Sequence, residues 1–269
     1  MSVQMKTQKS GDQMSTVLLE KEGKVARLIM NRPDKLNAFN KDLHRDFMEA
    51  LQNVKKDSNI RALVITGAGR AFNSGQDLSD TPENMDYGEI LRKTYNPLLE
   101  NLLSLEIPVI AAVNGVAAGA GFSLALACDF RLAHEKASFV QAFINVGLVP
   151  DSGSLYFLPR LVGYAKALEL AVLGEKISAK EAYRLGIVNK VIPAENWEQE
   201  VMTFAENLAN KPTKAIGLIK RYMKLSFHST LSEMLEYEAM AQRIAGFSED
   251  HQEGIRAFLE KRKPEFKGK

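Results

Sequence analysis

Three places in this 269-residue chain could do chemistry. The first is Ala117-Ala118-Gly119-Ala120-Gly121, a run almost without side chains between an apolar strand pattern at residues 109–113 and a helix-like apolar stretch at residues 122–130. Amide N–H groups at a helix start are unpaired and carry the positive end of the helix dipole, so small residues there let a ligand oxygen reach the backbone. The same residues also suit close packing of a helix on a sheet. The second place is Asp151, in the turn Val149-Pro150-Asp151-Ser152-Gly153 before a helical pattern at residues 155–162. A carboxylate there suits proton transfer or an N-cap, and one residue can serve both. The third is Gly67-Ala68-Gly69, which follows a strand pattern as a dinucleotide-binding fingerprint does. Phe72 stands where the third glycine is needed, and the chain continues as loop through Asn73-Ser74-Gly75-Gln76-Asp77, so no nicotinamide cofactor is expected.

The other reactive residue types stand alone. Cys128 is the single cysteine, which rules out an intramolecular disulfide and fits a reducing, cytoplasmic setting. It lies in an apolar helical pattern with no evident electropositive neighbour, so packing is its expected role. His44, His134, His228 and His251 lack metal-ligand spacing, and no metal is expected. A net charge of +2 gives no global case for nucleic acid. Basic residues do gather at Lys261-Arg262-Lys263, Lys267 and Lys269, as a local anion contact or a solvated tail. The polar N-terminus lacks the apolar core of a secretory signal, and no run is long enough to span a bilayer. Residues 1–14 read as a loose extension, with Met14 as an alternative start.

The elements that would position these residues follow from periodicity. Residues 17–19 and 25–30 read as a hairpin about the charged turn at 20–24. Asn40 reads as the N-cap of a helix through Val54, with Leu43, Phe47, Leu51 and Val54 on one face. Strands are expected at 62–66, 109–113 and 188–192, a polar loop at 77–86, and helices at 90–103, 165–174, 179–185 and 197–210. From Lys214 the pattern is helical to the end. Strand, turn and helix recur from Val25, Ala62 and Val109, as in parallel sheets covered by helices. The chain divides softly near residue 200, into an α/β body at 15–200 and a helical region at 201–269. That region carries Ile216, Leu218, Ile219, Met223, Leu231, Met234 and Leu235, more than its own helices can bury, and is expected to be an oligomer surface.

Four stretches resemble the crotonase, or enoyl-CoA hydratase/isomerase, superfamily: NRPDKLNAF at 31–39, GRAFNSGQDL at 69–78, AAVNGVAAGAGFSLALACD at 111–129 and FLEKRKPEF at 258–266. The similarity runs over residues 15–266. It implies an α/β fold, a crotonase-like spiral of ββα units with a C-terminal helical trimerisation region, assembled as a homotrimer or dimer of trimers. It also implies an acyl-CoA substrate, with coenzyme A part of that substrate and no separate cofactor. In the family, two backbone N–H groups bind the thioester oxygen as it becomes an enolate, and by residue matching these fall on Ser74 and Ala120. Gly75, Gln76 and Asp77 beside the first, and Gly119 and Gly121 beside the second, are implied substrate contacts. Lys35, Phe258 and Lys261 match positions lining the nucleotide end of CoA, the last two reaching a neighbouring subunit.

The departures from the family pattern narrow the chemistry. Its hydratases hold a water between two glutamates, and those positions here are Ser123 and Phe143. Adding water needs that water oriented and deprotonated, and both usual carboxylates are gone. What remains is Asp151. The segment FVQAFINVGLVPDSGS at 139–154 looks most like the phenylacetate-pathway branch of 1,2-epoxyphenylacetyl-CoA isomerases. An aspartate at this turn is shared with dienoyl-CoA isomerases and the 4-chlorobenzoyl-CoA dehalogenase, as base or nucleophile. The expectation is therefore an acyl-CoA isomerase with Asp151 as acid/base, Ser123 and Phe143 beside the acyl group, and Phe143 drying the pocket so that the carboxyl titrates higher. The alternatives are a 2-enoyl-CoA hydratase and, in another class, a non-catalytic homologue binding CoA or RNA through its basic tail.

Overall fold

The computed structural model describes residues 3–4, 15–80 and 85–269. The strands are β1 (Val3–Gln4), β2 (Val17–Glu22), β3 (Val25–Met30), β4 (Ala62–Gly67), β5 (Ala71–Asn73), β6 (Val109–Val113), β7 (Val116–Ala118), β8 (Phe130–His134), β9 (Ser138–Val140), β10 (Ile177–Ser178) and β11 (Lys190–Ile192). The helices are α1 (Lys41–Lys56), α2 (Tyr87–Ile90), α3 (Asn96–Leu103), α4 (Ala120–Ala127), α5 (Ser154–Val162), α6 (Tyr164–Leu173), α7 (Ala179–Arg184), α8 (Trp197–Ala209), α9 (Thr213–Leu225), α10 (Leu231–Gly246) and α11 (Glu249–Leu259).

Two sheets hold the strands, in the orders β1-β2-β3-β4-β6-β8-β11 and β10-β9-β7-β5. The pairs β4/β5, β6/β7 and β8/β9 each give one strand to each sheet, and the strands within β4-β6-β8 and β5-β7-β9 run parallel. The chain therefore winds as a spiral whose turns bend between the sheets. The bends are tight enough to exclude side chains. A β-carbon on Gly67 would sit 2.2 Å from the Ala71 carbonyl oxygen, and one on Gly115 would sit 2.1 Å from that of Arg70. Asn114 pins the corner, accepting from Gly67 N and donating to Gly69 O.

Alternation along the buried strands divides the core in two. Leu63, Ile65, Val109, Ala111 and Val113 face the interior shared with α1, α3 and α4, while Ala62, Val64, Ile110 and Ala112 pack on Val201, Ala205 and Ala209 of α8. The division expected near residue 200 thus falls inside α8, whose apolar face belongs to this core. Helix α1 begins as expected, with Asn40 Oδ1 accepting from Leu43 N at 2.9 Å. Every residue of α4 is buried, so this helix has no polar face at all.

Four expectations need correction. Residues 71–73 form a buried strand rather than continuing loop. The apolar stretch at 122–130 is not one helix: α4 already begins at Ala120 and stops at Ala127, and Phe130 opens β8. Asp129 separates the two, accepting from Val109 N and pairing with Lys220 at 2.6 Å. The C-terminal helices end at Leu259, and the last residues run as a tail rather than a helix. Arg61 donates to the carbonyls of Lys211 and Phe266, and the Asp250 carboxylate accepts from Lys267 N and Gly268 N, so this tail is fastened to the body. Finally, two residues of the supposed loose extension, Val3 and Gln4, pair with β2; the rest of it, with Met14, lies outside the described residues, as do residues 81–84 of the polar loop.

Cys128 is buried, and burial pushes its thiol up to about 12 despite the neighbouring Arg131. Among the described residues no three His, Cys, Asp or Glu side chains gather as metal ligands, and no helix is long and apolar enough to cross a membrane. Helices α9 and α10 leave an apolar groove between them lined by Leu218, Ile219, Met223 and Met234, with Leu231, Leu235 and Phe247 exposed nearby.

Candidate active site

Five chain segments meet around a cavity of about 130 Å³. The loop after β5 brings Ser74, Gly75 and Gln76, and the start of α4 brings Gly119 and Ala120. Tyr95 comes from a π-helical turn at Leu91–Tyr95, Phe143 from a short turn after β9, and Asp151 from the loop before α5. The remaining wall is largely apolar, with Leu78, Ile90, Leu91, Ala142, Val146 and Leu148 beside Tyr87. The two glycines let the first two segments touch. Gly75 has φ +96° and a β-carbon there would lie 3.1 Å from Ala118 O and 3.6 Å from Ala120 N; Gly119 has φ +51°.

Accounting for each amide shows which are available to a ligand. Ser74 N–H donates to Leu36 O at 3.1 Å, Gly75 N–H to Asn73 Oδ1 at 2.8 Å, and Asp77 N–H to Phe39 O at 2.8 Å. Gln76 N–H has no acceptor among the described residues. Its direction is set by its own peptide plane, because Phe39 N–H holds the Gly75 carbonyl at 2.7 Å and the N–H of a trans peptide points the opposite way. On the second segment, Gly119 N–H donates to Val140 O, whereas Ala120 N–H, at the first position of α4, has no partner among the described residues. Among the amides of the lining residues of these two segments, the free pair is therefore Gln76 and Ala120. Ser74 lines the cavity, but its amide is taken, which corrects the assignment made by residue matching.

Ser123 does not line the cavity either. It is wholly buried, and both its N–H (3.0 Å) and its hydroxyl (3.2 Å) donate to Gly119 O, the carbonyl of the peptide that carries Ala120 N–H. It orients that peptide from behind. Asp77 is likewise committed elsewhere. The Ser79 hydroxyl donates to its carboxylate and Arg32 pairs with it at 2.9 Å, which brings its pKa down to about 2, and the Arg32 pair ties the loop to the segment before α1. Gly121 packs beneath the site against Asn73. Lys35, on an exposed turn, Phe258, exposed at the end of α11, and Lys261, exposed just beyond it, do not line this cavity, although the Lys35 carbonyl accepts from the hydroxyl of Ser74, which does. Phe143 is where the sequence placed it, in the wall.

Asp151 is the one carboxylate among the described lining residues. Burial raises its pKa from the ordinary aspartate value, and the hydroxyl of Ser152, 2.8 Å away, pulls the other way. Its side chain caps nothing: α5 starts from Gly153 with no side-chain cap, which removes the capping role that the sequence left open. Tyr95 was missed by the sequence reading. Its hydroxyl donates to Gln76 Oε1 at 2.6 Å, and burial together with the Asp151 charge holds the phenol well above its ordinary range.

Behind Tyr95 lies His44, stacked on Phe39 at 4.8 Å and edge-on to Tyr95 at 4.2 Å, with no hydrogen-bond partner on either ring nitrogen among the described residues. Burial lowers its pKa from 6.5 to about 4. Below pH 6.5 the unfolded chain takes up a proton that the folded chain refuses, so stability falls with pH across this window, by about 3 kcal/mol at its lower end. His44→Leu removes that component. Urea unfolding at a series of pH values should show the variant gaining on wild type as pH drops; parallel curves would place the acid sensitivity elsewhere.

The sequence model of a family described as enoyl-CoA hydratase/isomerase matches residues 20–269. The chain is 44% identical over 261 residues to the 1,2-epoxyphenylacetyl-CoA isomerase of Escherichia coli, covering 95% of this chain and 100% of that one. It is 38% identical to the crotonyl-CoA hydratase of Syntrophomonas wolfei, covering 93% and 97%. The crystal structure of an enoyl-CoA hydratase from Bacillus anthracis superposes with a TM-score of 0.89 at 32% identity, over 94% of this chain and 100% of that one.

Proposed function

Because the chain belongs to the enoyl-CoA hydratase/isomerase family, we propose that it is an acyl-CoA isomerase in which the amides of Gln76 and Ala120 hold the thioester oxygen and Asp151 moves one proton. The observation that carries this reading is Asp151, the one carboxylate among the described lining residues. Asp151 takes a proton from a carbon of the acyl group, and the electron pair left behind moves onto the thioester oxygen. Two amide donors aimed at that oxygen stabilise the enolate, each contributing about 2.7–4 kcal/mol in comparable sites. The same carboxyl then returns its proton to a different carbon, which shifts the double bond. Hydration needs a second group to position and deprotonate water; Ser123 is buried behind the Gly119 peptide and Phe143 offers only a ring.

The identity to an epoxide-type isomerase and the aromatic and aliphatic wall support an acyl group derived from an aromatic ring, with conversion of 1,2-epoxyphenylacetyl-CoA to its oxepin-CoA as the candidate reaction. On this reading coenzyme A arrives as part of the substrate, and the reaction uses no further cofactor. The apolar groove of α9 and α10 supports assembly as a trimer or dimer of trimers, and the single cysteine supports a cytoplasmic setting. The test is product identification with a panel of enoyl-, dienoyl- and epoxyphenylacetyl-CoA esters in heavy water. Bond shift or ring rearrangement should outpace water addition, with deuterium entering at the carbon that exchanges its proton. Brisk hydration of crotonyl-CoA with no bond shift would make this chain a hydratase.

A further inference from the structure

We infer that Asn73 is a positioning residue that sets the spacing between the two free amides, an inference that rests on the oxyanion role proposed for Gln76 and Ala120. Asn73 ends β5, is wholly buried and touches both segments. Toward the first, its Oδ1 accepts from Gly75 N–H at 2.8 Å, closing the turn that precedes the Gln76 amide. Toward the second, its carbonyl oxygen and Oδ1 lie 2.2 and 2.5 Å from where a β-carbon of Gly121 would stand, so the start of α4 rests directly on it. The Asn73 side chain thus fixes the turn on one side and, together with its own backbone carbonyl, is the floor for the helix start on the other.

Asn73 is itself held on a rigid mount. Its Nδ2 donates to Asn37 O at 2.6 Å. Asn37, also wholly buried and at φ +58°, accepts from Arg32 N at 2.9 Å and donates to Ala68 O and Ala71 O at 2.9 and 2.8 Å. The two asparagines join the segment before α1 to both ends of the bend between β4 and β5. A donor pair acts on a developing charge only if its geometry is fixed before the charge appears, and a misplacement of about 1 Å costs on the order of 10² in rate.

The experiment compares Asn73→Ala with Asn73→Ser. The two replacements are close in size, but the serine hydroxyl can still accept from an N–H two residues on. One readout is kcat against KM on the substrate found by the acyl-CoA panel. The other is the near-ultraviolet band of the enolate of a bound 3-ketoacyl-CoA, which reports charge on the thioester system without requiring turnover. Asn73→Ala should lose about 10²-fold in kcat and most of the enolate band, with KM changed by about threefold or less. Asn73→Ser should recover part of both. Equal losses in the two variants, or a wild-type band in Asn73→Ala, would reduce Asn73 to core filling. If Asn73→Ala does not fold, a wild-type band and kcat for Asn73→Ala are replaced as the deciding result by Asn73→Ser, where a collapse as deep as 10²-fold would equally refute the turn's role. Absence of the band from wild type itself would overturn the oxyanion assignment and this inference together, whereas loss of turnover with the band intact in Asp151→Asn would leave both standing.

Discussion

Asp151→Asn should lower kcat by about 10² to 10⁴, the range that a positioned acid/base contributes, while leaving the fold and substrate binding in place. The structure makes this substitution a clean one. The carboxylate caps no helix, and the hydrogen bond it accepts from Ser152 can be accepted equally by an amide oxygen. Removing a half-buried charge relieves desolvation, so thermal stability should hold or rise. The pH profile supplies a second signature. Burial raises the Asp151 pKa, and the ionised form is the base, so wild-type activity should climb with pH through a midpoint shifted up from that of an ordinary aspartate. In Asp151→Asn that limb should vanish with the activity. Wild-type rates of isomerisation in a folded Asp151→Asn protein would remove the carboxylate from the reaction, and the lone-carboxylate reading with it.

What was legible in the sequence, and what was not, separates by the range of the interaction involved. The α1 cap and the strands β3, β4 and β6 were readable because capping and short apolar runs between turn residues are local, as was the unpaired amide of Ala120, since a helix start leaves its first amides unpaired whatever surrounds it. Choosing between Ser74 and Gln76 was not a local question. Ser74 is disqualified by Leu36 O and Gly75 by the turn to Asn73, while Phe39 fixes the peptide that frees Gln76. Leu36 and Phe39 lie on the far side of α1 and β4 in the chain, and only the folded spiral brings them to the loop. Strand β5 escaped for a related reason: three residues followed by polar loop carry too little pattern, and the strand exists because β7 is there to pair with it. Tyr95 sat inside a correctly expected helical stretch, but a π-helical turn moves side chains off the ordinary α-helical face, and periodicity at 3.6 residues cannot say that this one turns toward Gln76.

Ala120→Pro tests the second donor with little disturbance to its support. Proline lacks only the N–H that α4 does not use at its first position, and its fixed φ suits a helix start. The residue before a proline is driven away from the α region, and Gly119, at φ 51° and ψ −124°, is already outside it. The Gly119 carbonyl keeps both bonds from Ser123, so the peptide keeps its orientation while presenting a ring carbon where the hydrogen was. The expected loss is about 10² to 10³ in kcat, with the enolate band of a bound 3-ketoacyl-CoA reduced to match. Ala120→Gly is the paired control: it retains the N–H, costs on the order of 1 kcal/mol in helix propensity, and should keep activity within a few-fold of wild type. The contrast between the two isolates the hydrogen from the side chain. If the folded proline variant turned over at the wild-type rate, the charge on the thioester oxygen would have to be carried by Gln76 with some other donor, and Ala120 would be left as the tight corner that lets α4 meet the loop.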